Sequence, residues 1–392
     1  MHNKYKKLFL LKKNLVFLNH GSFGACPKSI FKSYHNWQLK LENQPVAFLD
    51  QARDFNKHMK TPRTFLAKEL KVKSNDLVGV TNATAGLNAV AQSILLKKGD
   101  EILISDHEYG ALEKTWDYVA KKNKAKVIEV KVPLPLNSED EFVEAFKNNM
   151  TKKTKILFIS HITSPTALVF PLKKLIKEAN KRGIISIIDG AHAPGHIKLN
   201  ITSLNVDYYS GNCHKWMMAP KGSAFLWANK NKKNILEPLI ISHGWLPNNY
   251  KKLQKGEFTE TRFIDSFEVQ GTKDPSAWLT IPDAIKFIND KKYSNAFKES
   301  SKLAYETALT ISNLTKIPLL ANREFLAPQM ISIPIPKCNV DHVKTQLLKK
   351  FNIEIPVIKW KNRCFVRISI QIYNSKSELI KLTQALKKIF KL

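Results

Sequence analysis

Two segments of the chain hold residues whose types and spacing could do covalent chemistry. The apolar run Ile187-Ile188 ends on a carboxylate, Asp189, followed by Gly190-Ala191-His192-Ala193-Pro194-Gly195-His196. Further on, Gly211-Asn212-Cys213-His214-Lys215-Trp216 sets a lysine beside a histidine, and Val206-Asp207-Tyr208-Tyr209-Ser210 between them reads as another short strand. An acid at one strand end and a lysine just past the next can converge at the carboxyl edge of an open α/β sheet, where such sheets bind ligands. This pairing suits pyridoxal phosphate: the lysine forms a Schiff base, and the aspartate keeps the pyridine nitrogen protonated so that the ring accepts electrons. Apolar residues follow Lys215-Trp216, and such a setting lowers a lysine's pKa and frees the neutral amine for imine formation. Two plainer readings compete. Lys215 is one of 63 basic residues and could be a surface ammonium. Asp189, His192 and His196 could be metal ligands, since histidines four apart share a helix face. Pro194 and Gly195 between them oppose a helix, and no metal is expected.

The elements that must position these residues are legible as an alternation. Leu77–Thr81, Glu101–Ser105, Val127–Val130, Ile156–Ser160 and Ile184–Ile188 read as strands, and Thr84–Leu96, Ala111–Lys121, Glu139–Asn148 and Leu172–Lys181 as helices between or beside them. Strands alternating with helices imply an α/β fold with a mostly parallel sheet covered on both faces. Ser223–Trp227 closes the series too soon after Lys215 for a helical crossover, so it is expected to run antiparallel. After Pro275 the rhythm changes to a smaller α+β unit. Its expected parts are a long helical region from Trp278 to Leu314, strands at Met330–Ile333, Ile355–Trp360 and Cys364–Ile370, a helix at Val340–Lys350 and a last one from Ser375. The expected organisation is an N-terminal arm (1–30) associated with the small domain, a large domain (31–275) and a small C-terminal domain (276–392), tightly joined.

Length and composition narrow the function classes. A chain of 392 residues with 43% hydrophobic and 10% aromatic content is a folded globular protein. The formal charge of +30 raises the question of nucleic acid. The lysines, however, are scattered as pairs across every segment, with no Arg-rich tract interleaved with aromatics, so a lysine-rich solvated surface is expected instead. Four cysteines (Cys26, Cys213, Cys338, Cys364) form no CxxC pair, against a disulfide framework or a thiolate zinc site. The run Leu8–Leu11 is too short for a signal-peptide core, and no apolar run reaches membrane-spanning length. No membrane partner and a cytoplasmic location are expected.

With these segments in place, the chain resembles class V of the fold-type-I pyridoxal-phosphate enzymes, and within it the isopenicillin-N epimerase-like group. The resemblance covers nearly the whole chain. It rests on Phe17–Gly24, Asn82–Asn88, Asp106–Ala111, the Asp189 and Lys215 segments, Gln270–Pro275, and Val366–Ser369 with Tyr373-Asn374. It implies pyridoxal 5'-phosphate as cofactor and a homodimer with shared active sites. Ala83 and Thr84 match the phosphate positions, in a segment whose strand-to-helix turn leaves N–H groups free for an anion; an ordinary N-cap on Asn82 or Thr84 is the alternative. Tyr109 falls where related enzymes stack a ring on the cofactor. Ser164 and His192 match positions near the cofactor's phenolic oxygen, and Asn212 and His214 match phosphate-side positions. Gly271 and Thr272 match a loop that reaches the neighbouring subunit's phosphate. Arg367, in an expected strand, matches the arginine that grips the substrate α-carboxylate, a task suited to two parallel N–H donors; a structural ion pair is its alternative. Asn19 and His20 are expected at the substrate mouth, or else in turn chemistry before Gly21.

The expected function is an amino-acid epimerase or lyase acting at Cα or Cβ through a Lys215 Schiff base, with a class V aminotransferase as the alternative. Cysteine desulfuration ranks below both. It needs a reactive cysteine on a mobile loop well upstream of the carboxylate arginine, whereas Cys364 shares a strand with Arg367 at an odd separation and so faces the other way. A non-catalytic regulator that retains the fold is remote, because the lysine is present and no helix-turn-helix segment is appended. Epimerisation also needs a second acid/base opposite Lys215, for which Tyr109 and His20 are the candidates.

Overall fold

The computed structural model describes residues 4–246 and 261–392. Its strands, numbered in chain order, begin with the two-residue β1 (Val16–Phe17) and continue with β2 (Leu77–Val80), β3 (Glu101–Ser105), β4 (Lys126–Val130), β5 (Thr154–Ser160), β6 (Ile185–Asp189), β7 (Tyr208–Asn212) and β8 (Ala224–Ala228). β2 to β8 form one sheet in the order β2-β8-β7-β6-β5-β3-β4. The pairs from β7 across to β4 are parallel, and β8 runs antiparallel to both β7 and β2. The short link after Lys215 therefore returns the chain antiparallel, as its length requires.

β3, β5, β6 and β8 are largely apolar runs because both faces of the sheet are covered. All five residues of β7 and of β8 are buried. Leu172–Lys181 buries Leu172, Leu175, Ile176 and Ala179, the single stripe that a covering helix presents to a sheet. Capping fixes where helices start. Asn82 accepts the Ala85 N–H before Ala83–Ser93, and Ser138 accepts from Asp140 and Glu141 before Glu139–Lys147.

The C-terminal part adds β9 (Met330–Ile335), β10 (Ile353–Glu354), β11 (Val357–Trp360) and β12 (Arg363–Ser369). β9, β12 and β11 make a three-stranded antiparallel sheet with β12 in the middle, while β10 pairs in parallel with β1. The last helix, Lys376–Phe390, opens on a capping box of Ser375 and Glu378. One hydrophobic cluster runs continuously from Val16 through Ile159, Trp216 and Val366 to Leu386.

The structure corrects one element. The long helical region expected from Trp278 is three helices, Ser276–Leu279, Ile281–Ile288 and Lys291–Thr315. Pro282 occupies the first turn of the second, a position that tolerates proline because the N–H there has no intrahelical partner. Asp290 caps the third by accepting the Lys292 N–H. Among the described residues no helix is long and apolar enough to cross a membrane.

Candidate active site

Three neighbouring parallel strands deliver polar residues to one edge of the sheet. Ser160 ends β5, Asp189 ends β6 and Asn212 ends β7, and the register sets Ser160 beside Asp189 and Asp189 beside Ser210. Lys215 follows β7 directly. A cavity of about 520 Å³ opens there, and eight of the anticipated residues line it: Thr84, Tyr109, Ser164, Asp189, His192, Asn212, His214 and Lys215. Ala83 lies just behind, buried, with its N–H donated to Asn212 Oδ1 at 2.9 Å. Thr84 is left as the hydroxyl on the first turn of Ala83–Ser93. That helix closes on the sheet through Gly86, where a Cβ would stand 2.6 Å from Ser210 Oγ.

Burial sets the charges at this edge. It lowers the Lys215 pKa to about 7; Asp189 opposes the shift and Arg367 adds to it. Burial raises the Asp189 pKa, against the Ala191 N–H donated to its carboxylate at 2.8 Å and the nearby Lys215. Lys215 Nζ lies 3.1 Å from His192 Nε2. His214 Nδ1 donates to Ser223 O at 3.2 Å, and burial brings that imidazole down to about 4, so it is neutral near pH 7. Beneath the floor, Glu108 is fully buried and pushed up to about 8 by desolvation, held by Ser105 Oγ and by the hydroxyl and N–H of Ser160.

This donor set fits pyridoxal phosphate. A carboxylate at the end of β6 suits a pyridinium nitrogen, an amine with a pKa near neutrality suits a carbonyl, and a hydroxyl on a helix's first turn suits a phosphate.

The remaining anticipated residues sit elsewhere. Arg367, in the middle of β12, is buried behind the cavity wall. Its Nη1 donates to Ser164 O at 2.5 Å and Ser164 Oγ at 3.3 Å, and its Nη2 to Ser22 Oγ at 3.2 Å. Ser22 and Ser164 line the cavity, so the guanidinium is one side chain away from it. His20 does not reach the mouth. It is wholly buried, and its ring nitrogens are engaged by Tyr373 Oη at 3.0 Å and Lys215 O at 3.0 Å. Burial lowers its pKa to about 3. Asn19 is likewise structural, accepting from Ser22 Oγ at 2.5 Å and donating to Glu354 Oε1 at 3.4 Å. Gly271 and Thr272 are exposed and do not line the cavity. Asp189, His192 and His196 do not converge as ligands, for both His196 nitrogens are taken, by His192 O and by the Gln329 N–H.

Several lining residues were not anticipated. Ser22 and Phe23 lie inside the Phe17–Gly24 motif and Ser160 ends an expected strand, which was a usable signal. Lys221, bonded through Nζ to Gly24 O at 3.1 Å, carried none among so many lysines. None of the four cysteines lines the cavity. Cys364 points away from Arg367 as alternation requires and donates to Cys338 O.

Comparison with known proteins identifies the family. The family model for aminotransferase class-V matches residues 25–382. The chain is 32% identical over 380 residues to isopenicillin N epimerase of Amycolatopsis lactamdurans, covering 95% of each chain. It is 26% identical to a probable chloroplastic L-cysteine desulfhydrase of Arabidopsis thaliana, covering 94% of this chain and 82% of that protein. Among solved structures, C-DES with glycine covalently linked to its pyridoxal-phosphate cofactor superposes with a TM-score of 0.81 at 19% identity over 97% of this chain and 98% of that one, which shows a shared fold. The chain belongs to the aminotransferase class-V family of pyridoxal-phosphate-dependent enzymes.

Proposed function

We propose that the chain acts at the α-carbon of an α-amino acid as an epimerase or lyase, with Lys215 holding the cofactor and then moving the α-proton. One observation carries this reading. The cavity presents a buried amine with a pKa near 7 and no cysteine, so it is equipped for proton transfer and lacks the thiol that a persulfide mechanism needs. Pyridoxal phosphate, when bound, supplies a carbonyl and a protonated ring that withdraws electrons from the α-carbon. Asp189 holds the ring nitrogen's proton, and Thr84 and His214 take the phosphate end. Arg367 orients the substrate through its carboxylate, drawing on the donors that Ser22 and Ser164 engage in its absence. With His20 committed to Lys215 O and Tyr373, the candidate for the second acid/base is Tyr109, about half exposed and lining the cavity.

The names of the relatives support both branches, since one is an epimerase and another a desulfhydrase. Incubating a panel of L- and D-amino acids in deuterated water and following the α-proton by NMR tests the reading. Exchange with inversion assigns an epimerase, and exchange with loss of a β-substituent assigns a lyase. Stoichiometric conversion to a 2-oxo acid would replace both with an aminotransferase. No exchange with any amino acid, or exchange that survives Lys215→Ala, would sink the proposal. The same reading makes the enzyme a homodimer, supported by the exposure of Gly271 and Thr272 away from their own chain's cavity; sedimentation as a monomer at working concentration would exclude it.

A further inference from the structure

The imidazole of His192 stands between two groups that restrict where its hydrogen can be. Trp216 Nε1 carries a hydrogen and cannot accept one, so its 3.5 Å approach to His192 Nδ1 is a hydrogen bond only if Nδ1 is bare. His192 is buried, and burial, followed by Lys215, Arg367, His196 and His214, holds its pKa well below the ordinary value. The ring is therefore neutral and carries one hydrogen. With Nδ1 bare, that hydrogen sits on Nε2, 3.1 Å from Lys215 Nζ. An N–H in that position needs a lone pair opposite it, which a neutral amine has and an ammonium lacks.

The indole is itself fixed. The His196 ring stacks on it at 3.8 Å with planes 14° apart, and the His20 ring lies 5.0 Å away near the same indole. His196 is locked by donating Nδ1–H to His192 O at 3.2 Å and accepting the Gln329 N–H on Nε2 at 3.1 Å. Gly195 has φ +75°, and a Cβ there would fall 2.7 Å from the Trp216 carbonyl carbon and oxygen, so the two segments meet backbone to backbone.

We propose that Trp216 is a positioning residue that fixes His192 in its Nε2–H tautomer, so that His192 donates a hydrogen bond to Lys215 Nζ and keeps that amine in the uncharged form able to condense with a carbonyl. The inference rests on Lys215 being the cofactor lysine. The charged groups facing that amine are Asp189, which favours the ammonium, and Arg367, which opposes it; the tautomer of His192 adds a donor on the side of Arg367. Without the indole N–H, the Nδ1–H tautomer becomes available, its bare Nε2 accepts from an ammonium, and the Lys215 pKa rises.

The test uses apoprotein labelled with nitrogen-15 histidine, with the His192 signals identified by their loss in His192→Gln. Wild type should show a bare Nδ1 and a protonated Nε2 by imidazole nitrogen shifts. In Trp216→Phe the population should move toward the other tautomer, and the acid limb of the rate of pyridoxal-phosphate uptake should move up by about one pH unit. Trp216 is deeply buried, so benzothienylalanine placed at position 216, which keeps the ring shape and lacks the N–H, gives the same readout if Trp216→Phe does not fold. A protonated Nδ1 in wild type, or an unchanged tautomer in the substituted proteins, would overturn the inference. Failure of the underlying site reading looks different: the tautomer switches as expected, but wild type takes up no pyridoxal phosphate, which removes Lys215 from the account.

Discussion

At Lys215 and Asp189, burial acts on two opposite charges in opposite senses, lowering one pKa and raising the other, while their mutual attraction works against both shifts. The outcome is an amine that is about half neutral near pH 7 beside a carboxyl whose pKa burial raises, against the pull of an N–H and a nearby cation. Asp189→Asn keeps the shape and removes the charge. Cofactor should remain bound, but turnover should fall on the order of 10²–10³-fold, the size typical of losing one preorganised electrostatic partner. Measuring kcat alongside cofactor absorbance checks this; near-normal turnover would show that the ring nitrogen is not held protonated by Asp189. The placement of these two residues at one sheet edge was legible in the sequence because strand ends dictate place. His20 was not, because the partners that take it out of the mouth, Tyr373 and the Lys215 carbonyl, are remote in the chain and nothing local announces them.

At the scale of elements, the strands of the central sheet were the most legible part, since burial on both faces leaves an unbroken apolar run. The helices Lys28–Asn43 and Phe55–Leu70 left little trace. The first buries only Ile30 and Leu41, and the second carries Pro62 inside it, which reads as a break. The helix that matters most for the site is Ala83–Ser93, whose first turn carries Thr84. Gly86→Ala would gain about 1 kcal/mol of helix propensity, but the new methyl would sit 2.6 Å from Ser210 Oγ, which is tied to Phe225 O at 2.7 Å. Overpacking of this kind costs about 1–3 kcal/mol and should win. Denaturant titration should show Gly86→Ala less stable and poorer at retaining cofactor, with Ser210→Ala in the same chain recovering part of both. A Gly86→Ala protein as stable as wild type would mean that this close contact relaxes freely.

At the scale of the whole molecule, six buried histidines among the described residues are held neutral. Desolvation lowers His20 and His196 to about 3, His107, His161 and His214 to about 4, and His192 well below its ordinary value of 6.5. A depressed histidine pKa means that the unfolded chain binds protons the folded one does not. The histidines' contribution to stability is therefore fully present above about pH 6.5 and falls as the pH drops toward 4, by about 1.4 kcal/mol per histidine per pH unit. Glu108, raised to about 8, works the other way, as do Asp189, Glu113 and Glu268, whose carboxyls burial also raises, but these are four groups against six. Since a domain's whole stability is about 5–15 kcal/mol, Tm should fall steeply between pH 6.5 and 5, and a flat profile there would contradict the burial described. Which of the many lysines carries the cofactor decides the chemistry, and Lys221 lines the same cavity as Lys215. Borohydride reduction of the cofactor-loaded protein, followed by digestion and mass spectrometry of every lysine-containing peptide, settles it most directly. The expected result is a single pyridoxyl adduct, on the peptide containing Lys215, that disappears in Lys215→Ala; an adduct on Lys221 or any other lysine in the wild-type protein would contradict the account.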